Sequence, residues 1–268
     1  MGGRFLVGIA LGAIFLYLSA RQVDFRETWD TLRQARYHYL AGLFLLNFAA
    51  LWLRSVRWRV LLEPVRLIPS RRLFSPLCIG MMANFIFPAR AGEFVRAYLV
   101  GRREGISKSS AFATVVVERL FDGLAIISFL ALAPFLLPPL EGKTAQLLKW
   151  GGLGIFVFYF AVLAVLLVLS HHREALSGYF ARSSFAARWQ VVAKAFKVAM
   201  KFADGLAILK TKREVFIALV LSYVIWIIAG AIDLLMMRAI GLDLPLYAAF
   251  FLVVIQSFGV MVPSPGFV

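Results

Sequence analysis

Two groups of ionisable residues stand inside stretches that are otherwise apolar, where a charge costs several kcal/mol unless it is paired or has a task. The first group is Asn84-Phe85-Ile86-Phe87-Pro88-Ala89-Arg90-Ala91-Gly92-Glu93, continuing to Arg96. A helix starting after Pro88 sets Arg90, Glu93 and Arg96 at three-residue steps on one face, with Pro88 and Gly92 as structural breaks. Two guanidinium groups around one carboxylate leave a positive surplus suited to bidentate contact with a phosphate. A lipid-phosphate site is the preferred reading, and a salt-bridged helix anchored at the interface is the plainer one. The second group is Glu118, Arg119 and Asp122. It lies about two turns into the run that begins near Ala111, roughly 10 Å deep at ~1.5 Å per residue. One arginine between two acids is either an internal ion pair that fixes helix packing or part of a single network with the first group.

Other polar residues carry less. Asn47, Asp233 and Gln256 occur singly in apolar runs, where a side chain of this kind ordinarily forms an interhelical hydrogen bond. Arg54, Arg57, Trp58 and Arg59 end one apolar run as an arginine and aromatic belt, read first as an interface anchor and second as a head-group site. Cys78 is the one cysteine, and His38, His171 and His172 have no partners at metal-ligand spacing, so neither a disulfide framework, a metal centre nor another cofactor is implied.

These residues must be positioned by helices in lipid. Of 268 residues, 62% are apolar and only 16% charged, too few to cover a water-facing surface. A net charge of +15 suggests nucleic acid in a soluble protein. Here the basic residues sit between apolar runs, the pattern of cytoplasmic loops beside anionic head groups, which argues against a nucleic-acid partner. The fold class expected is all-α, a polytopic transmembrane bundle of about six spanning helices with re-entrant, Pro/Gly-broken segments.

Loop charge then orients the runs. Phe5 to Ala20 is read as a retained first helix with a cytoplasmic N-terminus, a cleaved signal peptide over Met1–Ala20 being the alternative; its Gly8 and Gly12 are read as packing. Leu40 to Leu62 leads into Arg66, Arg71 and Arg72, and Leu73 to Val100 leads into Arg102, Arg103 and Lys108. Both flanks of the second stretch vote for the cytoplasmic side, which predicts a re-entrant hairpin whose broken backbone must be satisfied by protein or a wet cavity. Ala111 to Leu137, Trp150 to Leu169 and Val215 to Met237 are further crossings. Residues 171–213 form a basic cytoplasmic connector, in which Trp189, Val192, Phe196 and Ala199 suggest a surface-lying amphipathic helix or a solvated linker helix. Leu246 to Val262 runs into Pro263-Ser264-Pro265-Gly266, so the natural C-terminus is expected beyond Val268. Broken segments near Pro88 and near Pro263, Pro265 and Gly266, entered from opposite sides, suggest inverted repeats around a midplane site.

Arg54-Ser55-Val56-Arg57-Trp58-Arg59-Val60-Leu61-Leu62, the Asn84 to Glu93 stretch with Arg96, and Glu118-Arg119-Leu120-Phe121-Asp122 together resemble, in order, three signature stretches of the lysylphosphatidylglycerol synthase transmembrane region, also called the flippase-like or UPF0104 family. Pro263 to Gly266 resembles the start of a fourth, whose further glycine and glutamate lie beyond this sequence. The resemblance implies residues 1–268 as one flippase-like domain of a bacterial or archaeal cytoplasmic (inner) membrane protein that handles lipids. It is similar to the part of the multiple peptide resistance factor that moves aminoacylated phosphatidylglycerol between leaflets. The soluble aminoacyl-transferase domain of fused relatives is not in this sequence, so catalysis is not expected. The expected function is translocation of an anionic or aminoacylated phospholipid or a lipid-linked intermediate. Asn84, Arg90, Glu93, Arg96, Glu118, Arg119 and Asp122 are its expected substrate-binding residues, and membrane lipids, a lipid-modifying enzyme and a second copy of the chain are the partners considered. The alternatives are a membrane glycosyl or aminoacyl transferase component, against which stands the lack of an Asp-x-Asp or a Gly-rich phosphate cradle, and a non-catalytic scaffold.

Overall fold

The computed structural model describes residues 23–87, 91–136 and 212–261, with isolated positions at 17 and 21 and between 146 and 165. Its elements are α1 (Phe25–Gln34), α2 (Tyr39–Leu62), α3 (Ser70–Ile86), α4 (Gly92–Arg103), α5 (Lys108–Leu136), α6 (Lys212–Ala239) and α7 (Leu246–Met261). The described structure is all-helical, without strands, as the composition predicts. The expected connector at 171–213 and the first run over Met1–Ala20 lie outside the described residues, apart from Tyr17 and Lys212–Arg213.

Helices α2 and α6 are long and apolar enough to cross a membrane. Their outer surfaces carry side chains that only lipid would favour: Phe44 is 72% exposed, Leu45 66% and Phe216 66%. The ends of α2, α5, α6 and α7 fall within three residues of the apolar runs read from the sequence, because an apolar run in lipid must satisfy its backbone internally and so becomes helix to its full length.

The predicted hairpin is α3 and α4. At 1.5 Å per residue they reach about 26 and 18 Å, short of the ~30 Å hydrocarbon core. Their open ends lie together. Arg72 pairs with Glu104 at 3.6 Å, Arg103 donates to Ser75 Oγ at 3.4 Å, and Arg66 donates to the Glu104 carbonyl. The two helices touch closely where they cross. A Cβ at Gly80 would stand 2.8 Å from both Arg96 Cβ and the Gly92 carbonyl oxygen, and one at Gly92 would collide with the Gly80 oxygen and with Asn84. Gly92 is therefore the first residue of α4 and a contact point between backbones rather than a break inside a helix.

The densest packing lies at this basic end, where Trp58, Leu61, Leu62, Leu73, Leu77, Val100 and Val115 bury one another. The opposite end is tied by the Arg36 N–H, which donates to the Ala239 carbonyl at 2.7 Å and joins the start of α2 to the end of α6. Gly241, at φ 83°, closes α6: its N–H and that of Leu242 return to the carbonyls of Arg238 and Met237. That turn sends α7 back along α6.

Candidate functional site

Helix α2 presents Asn47, Arg54 and Arg57 at seven- and three-residue spacing, hence along one side, and α6 presents Ser222, Trp226 and Asp233 in the same manner. The helices run antiparallel and pack extensively. Arg57 and Ser222 are thereby level near the basic end, while Asn47 and Asp233 are level towards the other. Helix α5 supplies Glu118, Arg119 and Asp122 from the side, and α4 supplies Glu93 and Arg96.

Arg57 is the hub. It is wholly buried and reaches Asp122 Oδ1 at 2.5 Å, Glu118 Oε1 at 3.0 Å and Ser222 Oγ at 2.7 Å. Arg96 forks onto Glu118 at 3.1 to 3.2 Å, and its guanidinium lies 5.1 Å from the Trp58 ring centre. Arg119 touches Glu118 at 2.7 Å, Asp122 at 3.3 Å and Glu93 at 3.4 Å. Trp226 Nε1 donates to Asp122 Oδ1 at 3.0 Å, and Trp58 Nε1 donates to Thr114 Oγ1 at 3.0 Å. Three arginines thus face three carboxylates, and within this network charge balances. Such an arrangement is costly to break: removing one partner of a buried pair leaves an uncompensated charge.

Beside the network opens a cavity of about 740 Å³, within the size range of small-molecule and cofactor sites. Its walls are mostly apolar, from residues such as Met81, Phe85, Ile126, Ile225, Ile232 and Val253. Its polar groups are Arg54, Glu93, Arg119 and Asp122 towards the network, and Asn47, Asp233, Gln256 and Ser257 beyond. Tyr159 also lines it, its ring seated so closely on Gly123 that a Cβ there would clash. Arg54 is partly buried and, unlike Arg57, forms no ion pair or hydrogen bond among the described residues. The cavity wall therefore carries one cation, Arg54, outside the balanced network, with Asp233 as an acid further along the same wall.

Several expectations are corrected. Arg57 and Trp58 are fully buried and belong to the network and the core, not to an interface belt; Arg59 alone of that trio is exposed at the helix surface. Arg96 is committed to Glu118 and is only 4% exposed, so it is not an open phosphate ligand. Asn84 lies at the α3–α4 crossing, against Gly92, rather than on the cavity wall. Asp233 and Gln256 do hydrogen-bond between α6 and α7 as expected, whereas Asn47 donates to the Leu43 carbonyl of its own helix at 2.9 Å, and all three line one cavity. Arg90, Pro88, Pro263, Pro265 and Gly266 lie outside the described residues. The two sequence groups do meet, through Arg96 to Glu118 and Arg119 to Glu93.

A helical bundle with lipid-facing apolar surfaces, a short hairpin and an internal charged cavity defines a polytopic membrane protein. The chain belongs to the lysylphosphatidylglycerol synthase transmembrane region family, whose model matches residues 5–268. It is similar to a UPF0104 membrane protein of Methanothermobacter thermautotrophicus, 35% identical over 126 residues that cover 46% of this chain and 36% of the relative. It is also similar to the glycosyltransferase AglD of Haloferax volcanii, 33% identical over 45% of this chain and 20% of that protein. A UPF0104 membrane protein of Methanocaldococcus jannaschii is 26% identical over 52% of this chain and 41% of its own length. The matched segment is less than half the length of each of these relatives. No solved structure matches.

Proposed function

We propose that this protein handles membrane lipids by translocating the head group of an anionic or aminoacylated phospholipid, or of a lipid-linked intermediate, through the cavity between α2, α5, α6 and α7. One observation carries the reading: Arg54 faces a largely apolar cavity and makes no salt bridge or hydrogen bond among the described residues, the nearby Asp122 being held instead by Arg57 and Arg119. A guanidinium there is a ready bidentate partner for a phosphate, and the apolar walls suit the glycerol and the first methylenes of the chains. The balanced network of Arg57, Arg96 and Arg119 acts as a rigid floor that holds α2, α4 and α5 around the site. Arg90, in the segment between α3 and α4, is a further head-group ligand in this reading.

The protein then sits in the cytoplasmic (inner) membrane with its N-terminus and basic loops in the cytoplasm. The whole chain acts as one lipid-handling unit with residues 171–213 as its connector. It performs no chemistry of its own. The similarity to AglD favours one second reading, in which the chain is the membrane part of a transferase system acting on a lipid carrier. Reconstituted vesicles separate the two. With labelled phosphatidylglycerol in one leaflet, wild-type protein speeds movement to the other leaflet, and Arg54→Ala loses at least tenfold of that rate. Equal rates for protein-free vesicles, wild type and Arg54→Ala would remove translocation.

A further inference from the structure

Glu93, Glu118 and Asp122 each lie within 3.4 Å of an arginine nitrogen. Asp233 has no such partner among the described residues. It lies on α6 seven residues beyond Trp226, on the same side and about 10 Å further along the axis, and it lines the same cavity as Arg54. Its Oδ2 is buried with no hydrogen-bond partner among the described residues, while the carboxylate accepts a hydrogen bond from the Gln256 side chain of α7. The other titratable groups on the cavity are Arg54 of α2, Glu93 of α4, Arg119 and Asp122 of α5, and Tyr159. Of these, Glu93, Arg119 and Asp122 belong to the network that Arg57, Arg96 and Glu118 bring to neutrality, which leaves Arg54 as the cation on this cavity outside that network.

We propose that Asp233 takes up a proton when an anionic lipid phosphate occupies Arg54, so that lipid binding and proton binding are linked. The idea rests on the lipid-binding reading above. In the empty cavity the Arg54 cation and the Asp233 anion offset each other at long range. A phosphate on Arg54 removes that offset and adds a negative charge to a mostly apolar space, where an unpaired carboxylate is costly. Charge is restored by one proton transfer, in which an O–H bond of a hydronium ion from the solvent breaks, releasing water, as an O–H bond forms on the carboxylate, and the reverse transfer to water follows when the phosphate departs. The sign follows directly: the lipid-loaded state holds one more proton than the empty state, so affinity for the lipid rises as pH falls.

Titration of the purified full chain in detergent with short-chain phosphatidylglycerol tests this by calorimetry in buffers of different ionisation enthalpy. Wild type is expected to take up close to one proton per lipid, with affinity rising by up to about tenfold per pH unit across the range in which Asp233 titrates. Asp233→Asn, isosteric with the protonated acid, is expected to bind with little dependence on pH and no proton uptake. Arg54→Ala is expected to lose the lipid. Wild-type binding without proton uptake, or equal uptake by Asp233→Asn, would overturn the linkage while leaving the lipid site standing. Absence of lipid binding by wild type would overturn both readings. The wild-type measurement stands even if the variant does not fold.

Discussion

A guanidinium ringed by carboxylates and one that faces open space obey different energetics, even three residues apart on one helix. Arg57 reaches two carboxylates and a hydroxyl with no exposure, so Arg57→Ala leaves Glu118 and Asp122 short of a cation in the core. The expected cost is about 3–5 kcal/mol, read as a loss of stability in equilibrium unfolding from detergent micelles. Arg59→Ala, on the exposed surface, is expected to change stability by no more than ~0.5 kcal/mol in the same experiment. Similar losses for both would mean that the buried network does not hold the bundle. The sequence does not distinguish these arginines: both end an apolar run and both have the spacing of an interface anchor. What separates them is the acid that α5 brings to one and not to the other, and a linear pattern does not contain that. The acidic side is more legible, since Glu118 and Asp122 lie too deep in an apolar run to be casual. That arginines of the first group face them follows from charge balance between two groups, although the choice of Arg96 and the identity of Arg57 as the hub do not.

Elements are where the sequence speaks most clearly. In lipid the backbone must close its own hydrogen bonds, so run length alone gives α2, α5, α6 and α7, and the basic flanks of Leu73 to Val100 give a hairpin. The structure adds why the hairpin can be tight. Gly80 and Gly92 let α3 and α4 touch backbone to backbone, which seats Arg96 over the acids of α5. A helix that crossed the bilayer would carry Arg71 and Arg102 to opposite sides; the hairpin keeps them together. With Cys78→Ser as background, cysteines placed at Arg71 and Arg102 are expected to react with an impermeant thiol reagent from the same side of sealed vesicles. A cysteine at Asp243, in the turn after α6, is expected to react from the other. Labelling of positions 71 and 102 from opposite sides would remove the hairpin.

At the scale of the whole molecule, six helices converge on a cavity that no one of them encodes. Asn47, Asp233 and Gln256 read as unrelated polar residues because they belong to three helices whose mutual rotation is set by packing. Spacing along each helix does hold a partial signal, since Asn47, Arg54 and Arg57 share a side of α2, and Trp226 and Asp233 share a side of α6. The cavity joins an arginine without a salt bridge to an acid without one across an apolar space, and the lipid and proton proposals are two consequences of that one arrangement. The linkage proposal adds a dependence of lipid affinity on pH that a purely structural bundle would not show.

The most direct measurement is the position of the lipid itself. An anionic phospholipid bearing a diazirine in its head group, activated in vesicles with the reconstituted protein and mapped by peptide mass, reports which wall it touches. Adducts on α2 around Arg54 and on α6 around Trp226 and Ala229, displaced by unlabelled phosphatidylglycerol and lost in Arg54→Ala, are the predicted result. Adducts confined to outward-facing residues such as Phe44 and Phe216, and unchanged in Arg54→Ala, would contradict a head-group path through this cavity.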